Sequence, residues 1–231
     1  MKLEIDEIKG IKFYHRAGFS DLKTFDEVLG RDTYQKRGMK IARGEKWMDA
    51  GGNVGAFGLL ACKLGAEVTI YEPDPYNCKM IEKNLAINGF EAEIIQAALV
   101  HDDTKNINLF IGNNNNVWRN SIVKNWCGKG IKVPAVNFDD EAKKFDCCKM
   151  DIEGAEMLIL ENTKINFDKL VYEWSFDIDT SLKRLWDVID SQKKNYRVEA
   201  GWGSICYEDK REEHWQASWF PACTNVFCFK L

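Results

Sequence analysis

The first residues capable of chemistry lie in the run Lys46-Trp47-Met48-Asp49-Ala50-Gly51-Gly52-Asn53-Val54-Gly55-Ala56-Phe57-Gly58. Apolar residues enter a core, an acid follows, and glycines let the backbone turn tightly before a helix. A strand, a glycine loop and a helix start present backbone N–H groups to the polar part of a nucleotide-like cofactor. Counted from Gly51, Asn53 takes the place of the middle glycine of G-x-G-x-x-G, which argues against NAD or FAD. No lysine followed by Ser or Thr makes a phosphate-binding P-loop there. Asp49 ahead of the turn would repel a pyrophosphate and suits a cation. S-adenosylmethionine (SAM), with an amino group and a sulfonium, fits, leaving S-adenosylhomocysteine as product. Asp49, Gly51, Gly52, Asn53 and Gly55 are its candidate contacts.

More acids stand where strands would end. Glu72 closes Glu67-Val68-Thr69-Ile70-Tyr71-Glu72 beside the glycine loop, and a carboxylate there accepts hydrogen bonds from both ribose hydroxyls. Pro73 and Asp74 follow it. Asp151 and Glu153 come after the apolar residues 145–150, and Glu173 lies near the end of Leu170-Val171-Tyr172-Glu173-Trp174. Ligands of open α/β sheets bind at the carboxyl ends of the strands. These acids are therefore candidates to orient an amino group, take a proton, or hold a divalent metal. Asp151, Glu153 and Glu173 are the catalytic candidates, with His214 from an aromatic-rich loop. A metal route, with Mg²⁺ on Asp151 and Glu173, is the rival. Gln96 and Ala97, within a third strand over residues 93–100, are positional candidates for the adenine.

The elements that must position these residues alternate strand and helix. Helices are predicted over residues 56–64, stopped by Gly65, and 76–88, stopped by Gly89, then over 156–162 and 182–189. Strands close the chain at 196–199 and 224–229. Residues 1–44 read as an N-terminal helical cap or extension, with Phe25, Val28, Leu29 and Tyr34 at helical spacing and Thr24 with Glu27 as a capping box. The catalytic domain then covers 45–231. Within it, 101–144 reads as an insertion of two short strands, 107–111 and 131–136. Between them Trp118, Arg119, Asn120 and Ser121 are candidates to reach a substrate. Residues 202–221 read as an aromatic loop over the active end, with Tyr207, Trp215, Trp219 and Phe220 as a substrate wall.

A chain of 231 residues, 45% hydrophobic, supports one substantial core of the α/β kind. The formal net charge of −4 gives no support to a nucleic-acid-binding face, and no nucleic-acid partner is expected. No apolar run is long enough to span a membrane, and the N-terminus MKLEIDEIKG lacks a signal-peptide core. Eight cysteines without a C-x-x-C pair read as free thiols of a reducing, cytoplasmic compartment rather than a zinc site or a disulfide framework.

Four motifs in order then carry a resemblance. Asp49 to Gly55, Tyr71-Glu72-Pro73-Asp74-Pro75, Asn84-Leu85-Ala86-Ile87-Asn88-Gly89, and Lys149-Met150-Asp151-Ile152-Glu153-Gly154-Ala155-Glu156 resemble the FkbM family of SAM-dependent methyltransferases. The resemblance covers about residues 25–175. It implies an α/β Rossmann-like class I methyltransferase fold, a seven-stranded mostly parallel sheet with an antiparallel last strand and helices on both faces. It also implies that Asp49 to Gly55 line the methionine part of SAM, that Glu72 binds the ribose, and that Asp151 and Glu153 lie at the catalytic edge. Trp174 and Ser175 follow Glu173 where many relatives carry a histidine. Asp74-Pro75-Tyr76 is similar to a signature of DNA amino methyltransferases but follows the second strand, whereas that signature belongs after the fourth. The expected reaction is O-methylation of a hydroxyl on a sugar, a glycan or a similar hydroxylated small molecule. The alternatives are an N- or RNA-directed methyltransferase and a non-catalytic SAM-binding scaffold.

Overall fold

The computed structural model describes residues 2–112, 119–126, 128–175, 178–179, 181–202, 205–206 and 223–231, with 202 and 205–206 described by backbone alone. The chain opens on a β-hairpin, β1 (Leu3–Ile8) and β2 (Ile11–Arg16). Its two-residue turn, Lys9 and Gly10, has positive φ at both positions, the geometry that matches strand twist. Ile11 and Phe13 enter the core while Lys12 is exposed, a period of two. Helix α1 (Asp21–Phe25) follows and continues through a wider turn, Asp26–Gly30. The helical reading of residues 1–44 thus holds only from Asp21 onward. Nor does Thr24 cap a helix: it sits inside α1, whose N-terminal flank is Ser20. Asp21, bonded to the Arg16 backbone and guanidinium, fixes the start of α1 instead.

The alternation of strand and helix then builds the main sheet. In chain order come β3 (Lys46–Ala50), α2 (Ala56–Lys63), β4 (Glu67–Tyr71), α3 (Pro75–Asn88), β5 (Glu93–Ile95), β6 (Ala98–Val100), β7 (Asn106–Phe110) and β8 (Gly130–Asn137). They are followed by α4 (Phe138–Ala142), β9 (Cys147–Met150), α5 (Glu156–Leu160), β10 (Lys169–Ser175), α6 (Leu182–Gln192), β11 (Tyr196–Trp202), β12 (Ile205–Cys206) and β13 (Cys223–Lys230). The strand order is β11-β13-β10-β9-β3-β4-β5, with the two-residue β12 added beyond β11. Neighbours from β10 to β5 pair in parallel, and β13 runs antiparallel to both β10 and β11. This is the mostly parallel, seven-stranded Rossmann-like sheet with an antiparallel last strand that the motifs implied.

Successive residues of the central strands point to opposite faces, and each face has its own core. Met48, Cys148, Met150 and Tyr172 pack with α5 and α6, whereas Trp47, Ile70, Cys147 and Val171 pack with α2 and the hairpin residues Ile11 and Phe13. Cys147 and Cys148 are therefore separated by the sheet. Both are free thiols, as are Cys62, Cys78, Cys223 and Cys228.

The expected third strand over 93–100 breaks in two. Ala97 N–H turns back onto the Ile95 carbonyl at 2.9 Å, and β6 leaves the sheet to pair with β8. Ala97 through Val100 are all buried. Ala98 and Val100 serve a small separate core with Leu109, Val133 and Ala135, while Leu99 serves the main one. β7 and β8 pair antiparallel, close to the two strands expected of the 101–144 insertion. Among the described residues no helix is long and apolar enough to cross a membrane.

Candidate active site

The carboxyl ends of β3, β4, β9 and β10 meet at one cavity of about 310 Å³. Its floor is the glycine loop. Gly51 has φ +84°, and a Cβ there would lie 1.8 Å from the Asp151 carbonyl oxygen; one on Gly52 would lie 2.2 Å from Ile70 Cγ2. Only glycine lets these two strand ends approach so closely. Asn53 follows with φ +48°, a region amide side chains tolerate. Its Oδ1 is buried without a hydrogen-bond partner.

Glu72 forms the wall beside this loop. Asn53 N–H donates to its Oε2 at 2.7 Å, Asp74 N–H to its Oε1 at 2.8 Å, and the Asn77 amide to Oε1 at 3.4 Å. Oε2 retains a lone pair for a further donor, whereas Oε1 already accepts two. Burial pushes the Glu72 carboxyl up to about 8 against these N–H donors, with the nearby Asp74 charge adding to the rise.

Asp49 does not line the cavity. It is fully buried behind the loop, where Lys149 Nζ lies 3.1 Å from its Oδ1. Asp49 and Lys149 are register partners on the parallel pair β3–β9 and project from the same face, and the longer Lys149 side chain reaches both Asp49 and the loop. Lys149 Nζ also donates to the Gly51 carbonyl at 2.6 Å and stands 5.5 Å from the Tyr34 ring centre. Burial disfavours the charged lysine, but Asp49 and Asp151 together hold it above its ordinary value. Lys149 is buried, lines the cavity and fixes the loop, a role that its place in an apolar strand run did not announce.

Past the loop, Asp151 Oδ2 accepts a 2.7 Å hydrogen bond from Tyr34 Oη. Burial first, then the Asp151 charge, raises the Tyr34 hydroxyl well above its usual range, so it stays protonated and donates. Glu173 and Glu27 line the same end of the cavity. Burial, followed by Asp151, pushes Glu173 well above the carboxylate range and raises Glu27 as well. Glu153 also lines the cavity, at φ +54°, and its carbonyl accepts a 2.6 Å bond from Ser121 Oγ. Glu156 reaches back beneath this turn: its carboxylate accepts Ile152 N–H at 2.6 Å and Gly154 N–H at 2.8 Å. Burial, then the Asp151 charge, lifts Glu156 to about 7.

The structure thus brings together Gly51, Gly52, Asn53, Glu72, Pro73, Ala97, Asp151, Glu153 and Glu173. It leaves Asp49, Gly55, Asp74 and Gln96 off the cavity lining. Asp74 instead caps α3 through Tyr76 N–H and accepts the Asn120 amide at 2.8 Å. Gln96 lies where the chain turns out of the sheet after β5, and Gly55 lies under Ile81 of α3. Arg119 and Asn120 of the insertion line the cavity as expected. His214, Trp118 and the aromatic loop from Tyr207 to Phe220 lie outside the described residues. Sequence reasoning missed Tyr34 as a site residue, along with Glu27, Lys149 and Glu156. Only the motif from Lys149 to Glu156 around Asp151 hinted at the last two.

Among the described residues no group of three His, Cys, Asp or Glu side chains converges to hold a metal ion. The cavity does fit SAM: a cradle that a Cβ would fill, an unpartnered amide oxygen on Asn53 beside it, and a buried carboxylate at the end of β4.

A model of the methyltransferase FkbM domain matches residues 49–198. Over 108 residues the chain is 29% identical to a tRNA (uracil(54)-C(5))-methyltransferase of Pyrococcus furiosus, a match covering 46% of this chain and 25% of that protein. Among solved structures, the Pyrococcus abyssi tRNA (uracil-54, C5)-methyltransferase in complex with S-adenosyl-L-homocysteine is similar with a TM-score of 0.49 and 14% identity, covering 100% of this chain and 45% of that one. An rRNA methylase from Streptococcus thermophilus gives a TM-score of 0.46 and 12% identity over 83% of this chain and 90% of its own. The chain spans about a quarter of the curated relative that it matches.

Proposed function

From the premise that the chain belongs to the FkbM methyltransferase family, we propose that it transfers a methyl group from SAM to a hydroxyl of a sugar, a glycan or a similar acceptor. The observation that carries this reading is the carboxylate end of the cavity, where Asp151 is hydrogen-bonded by Tyr34 and flanked by Glu173. SAM supplies an electrophilic methyl carbon on a sulfonium. Glu72 receives the ribose hydroxyls, and the glycine loop with Asn53 receives the methionine part. With SAM bound there, its methyl group would pass to the acceptor oxygen, leaving S-adenosylhomocysteine, and Asp151 would take up the hydroxyl proton.

Asp151 is the base rather than Glu173, because burial and the Asp151 charge push the Glu173 carboxyl well above the carboxylate range. Glu173 in its neutral form donates a hydrogen bond and orients the acceptor. General-base assistance of this kind contributes about 10²–10⁴-fold, and fixed geometry up to roughly 7–11 kcal/mol. The cavity walls favour a neutral, hydroxylated acceptor. Glu27, Glu72, Glu153 and Glu173 line it, against Arg119, which lies over the Trp126 ring, and Lys149, which is paired with Asp49.

An RNA acceptor is the second reading, favoured by the likeness to a tRNA methyltransferase. Incubation with methyl-labelled SAM separates the two. Label transferred to free hydroxylated sugars or glycans at a rate insensitive to salt supports O-methylation. Label transferred only to tRNA or rRNA, with a rate that collapses as salt rises, overturns it.

A further inference from the structure

Helix α3 holds the N-terminal hairpin through three asparagines. Asn88 and Asn84 each pair with the backbone of one β2 residue, accepting an N–H and donating to the same residue's carbonyl, at Lys12 and Tyr14 respectively. They act as side-chain substitutes for a neighbouring strand. Asn84 also donates to the Val54 carbonyl at 2.9 Å, inside the glycine loop.

Asn77, the third, faces a side chain instead. Its Oδ1 accepts Arg16 Nη2 at 3.0 Å, while Arg16 Nε and Nη2 grip the fully buried Asp21 carboxylate at 2.8 Å. Asn77 is 1% exposed, Arg16 3% and Asp21 0%. A guanidinium has donors only, so the Asn77 oxygen must face it and the amide NH₂ must face the other way. On that side lies Glu72 Oε1, at 3.4 Å.

We propose that Asn77, oriented by Arg16 of the hairpin, is a positioning residue for Glu72 and through it for the cofactor's ribose. The inference rests on the reading of the cavity as a SAM site. It makes the hairpin, which precedes the residues 49–198 matched by the family model, part of that site. The amide can only donate toward Glu72, so it favours the ionised carboxylate, the form best able to accept a hydrogen bond from the ribose. The other titratable or charged groups around Glu72 are Asp74 at the start of α3, the Cys78 thiol on α3 and Lys149 on β9, with Arg16 and Asp21 behind Asn77. Burial holds Glu72 up to about 8, with Asn77 among the groups opposing the rise. Losing Asn77 therefore moves the ionisation to still higher pH.

The test is calorimetric titration of the full chain with S-adenosylhomocysteine between pH 6 and 9.5, for wild type, Asn77→Asp, Asn77→Ala and Arg16→Lys, with a melting curve for each. Wild-type affinity should rise with pH around 8. In Asn77→Asp, which Arg16 can still hold, the curve moves to higher pH, and Kd near pH 7 weakens by about ten- to a hundredfold. Asn77→Ala moves it in the same direction. Arg16→Lys, which keeps the Asp21 ion pair, moves it less. Variant curves that superpose on the wild type overturn the inference. So does uniform weakening at every pH with a lowered melting temperature, which marks a structural role only. A wild type that fails to bind overturns the cofactor reading itself, whereas wild-type binding with unmoved variants overturns the inference alone.

Discussion

Lys149→Met removes the cation that sits between the glycine loop and the buried Asp49. In the wild type its Nζ lies 3.1 Å from Asp49 Oδ1 and 2.6 Å from the Gly51 carbonyl, and neither charged side chain is more than 5% exposed. Stripping one partner from such a pair leaves an uncompensated buried charge, a loss of about 3–5 kcal/mol. For a chain of this length each kcal/mol moves the melting temperature by about 2–4 °C, so the drop should be roughly 6–20 °C near pH 7.5. The Asp49 carboxyl is already raised by burial, with Lys149 opposing the rise. Without Lys149 it takes up a proton more readily, so the deficit of the variant should shrink as pH falls toward 5. Adding Asp49→Asn removes the stranded charge and should recover about 2 kcal/mol or more in a double-mutant cycle. Denaturant melts of the four proteins at two pH values measure all of this. A single-variant loss below about 1 kcal/mol, or strict additivity, would refute the account of Lys149 as the partner that makes Asp49 tolerable.

Glu72 and Glu156 are held up to about 8 and about 7, against 4.5 in the unfolded chain. The folded protein therefore keeps protons that the unfolded chain has released. Their stabilising contribution is complete below about pH 4.5 and is lost as pH rises through 7 and then 8. Urea melts should show stability falling from pH 5 to 8.5, and Glu156→Gln should flatten the lower part of that slope. Gly51→Ala drives a Cβ to 1.8 Å from the Asp151 carbonyl at a φ of +84°, so soluble yield and S-adenosylhomocysteine binding should both collapse. Retained binding would show that the loop tolerates a Cβ. Tyr34→Phe removes only the hydroxyl bonded to Asp151. It should lower kcat about ten- to a hundredfold and leave cofactor affinity unchanged; a fall in affinity with kcat intact would assign Tyr34 to the cofactor instead.

The sheet was legible because parallel strands buried on both faces read as apolar runs ending in acids, and the glycine loop marks the first of them. Glu72 was legible for the same reason: its place at the end of β4 fixes where the carboxylate stands. Asp49 was not, because a strand-end acid can be neutralised inside the protein, and its partner Lys149 lies on β9, a neighbour set by strand order and register. Tyr34 and Glu27 precede the glycine loop in sequence and meet Asp151 only through tertiary packing, so no local spacing announces them. The hairpin was missed because its alternation in Ile11, Lys12 and Phe13 is short, and because β2, paired with β1 on one edge, meets asparagines of a helix on the other. The break at Gln96 and Ala97 went unread since an apolar strand continues on paper whether or not it changes sheets.

One titration tests the SAM site most directly: S-adenosylhomocysteine into the wild type and Glu72→Gln at pH 8.5, where the wild-type carboxyl is mostly ionised. The geometry predicts wild-type binding in roughly the micromolar range. It also predicts weakening of about ten- to a hundredfold in Glu72→Gln. Absence of binding by the wild type, or equal affinity in the variant, would contradict a cofactor seated on the glycine loop with its ribose at Glu72.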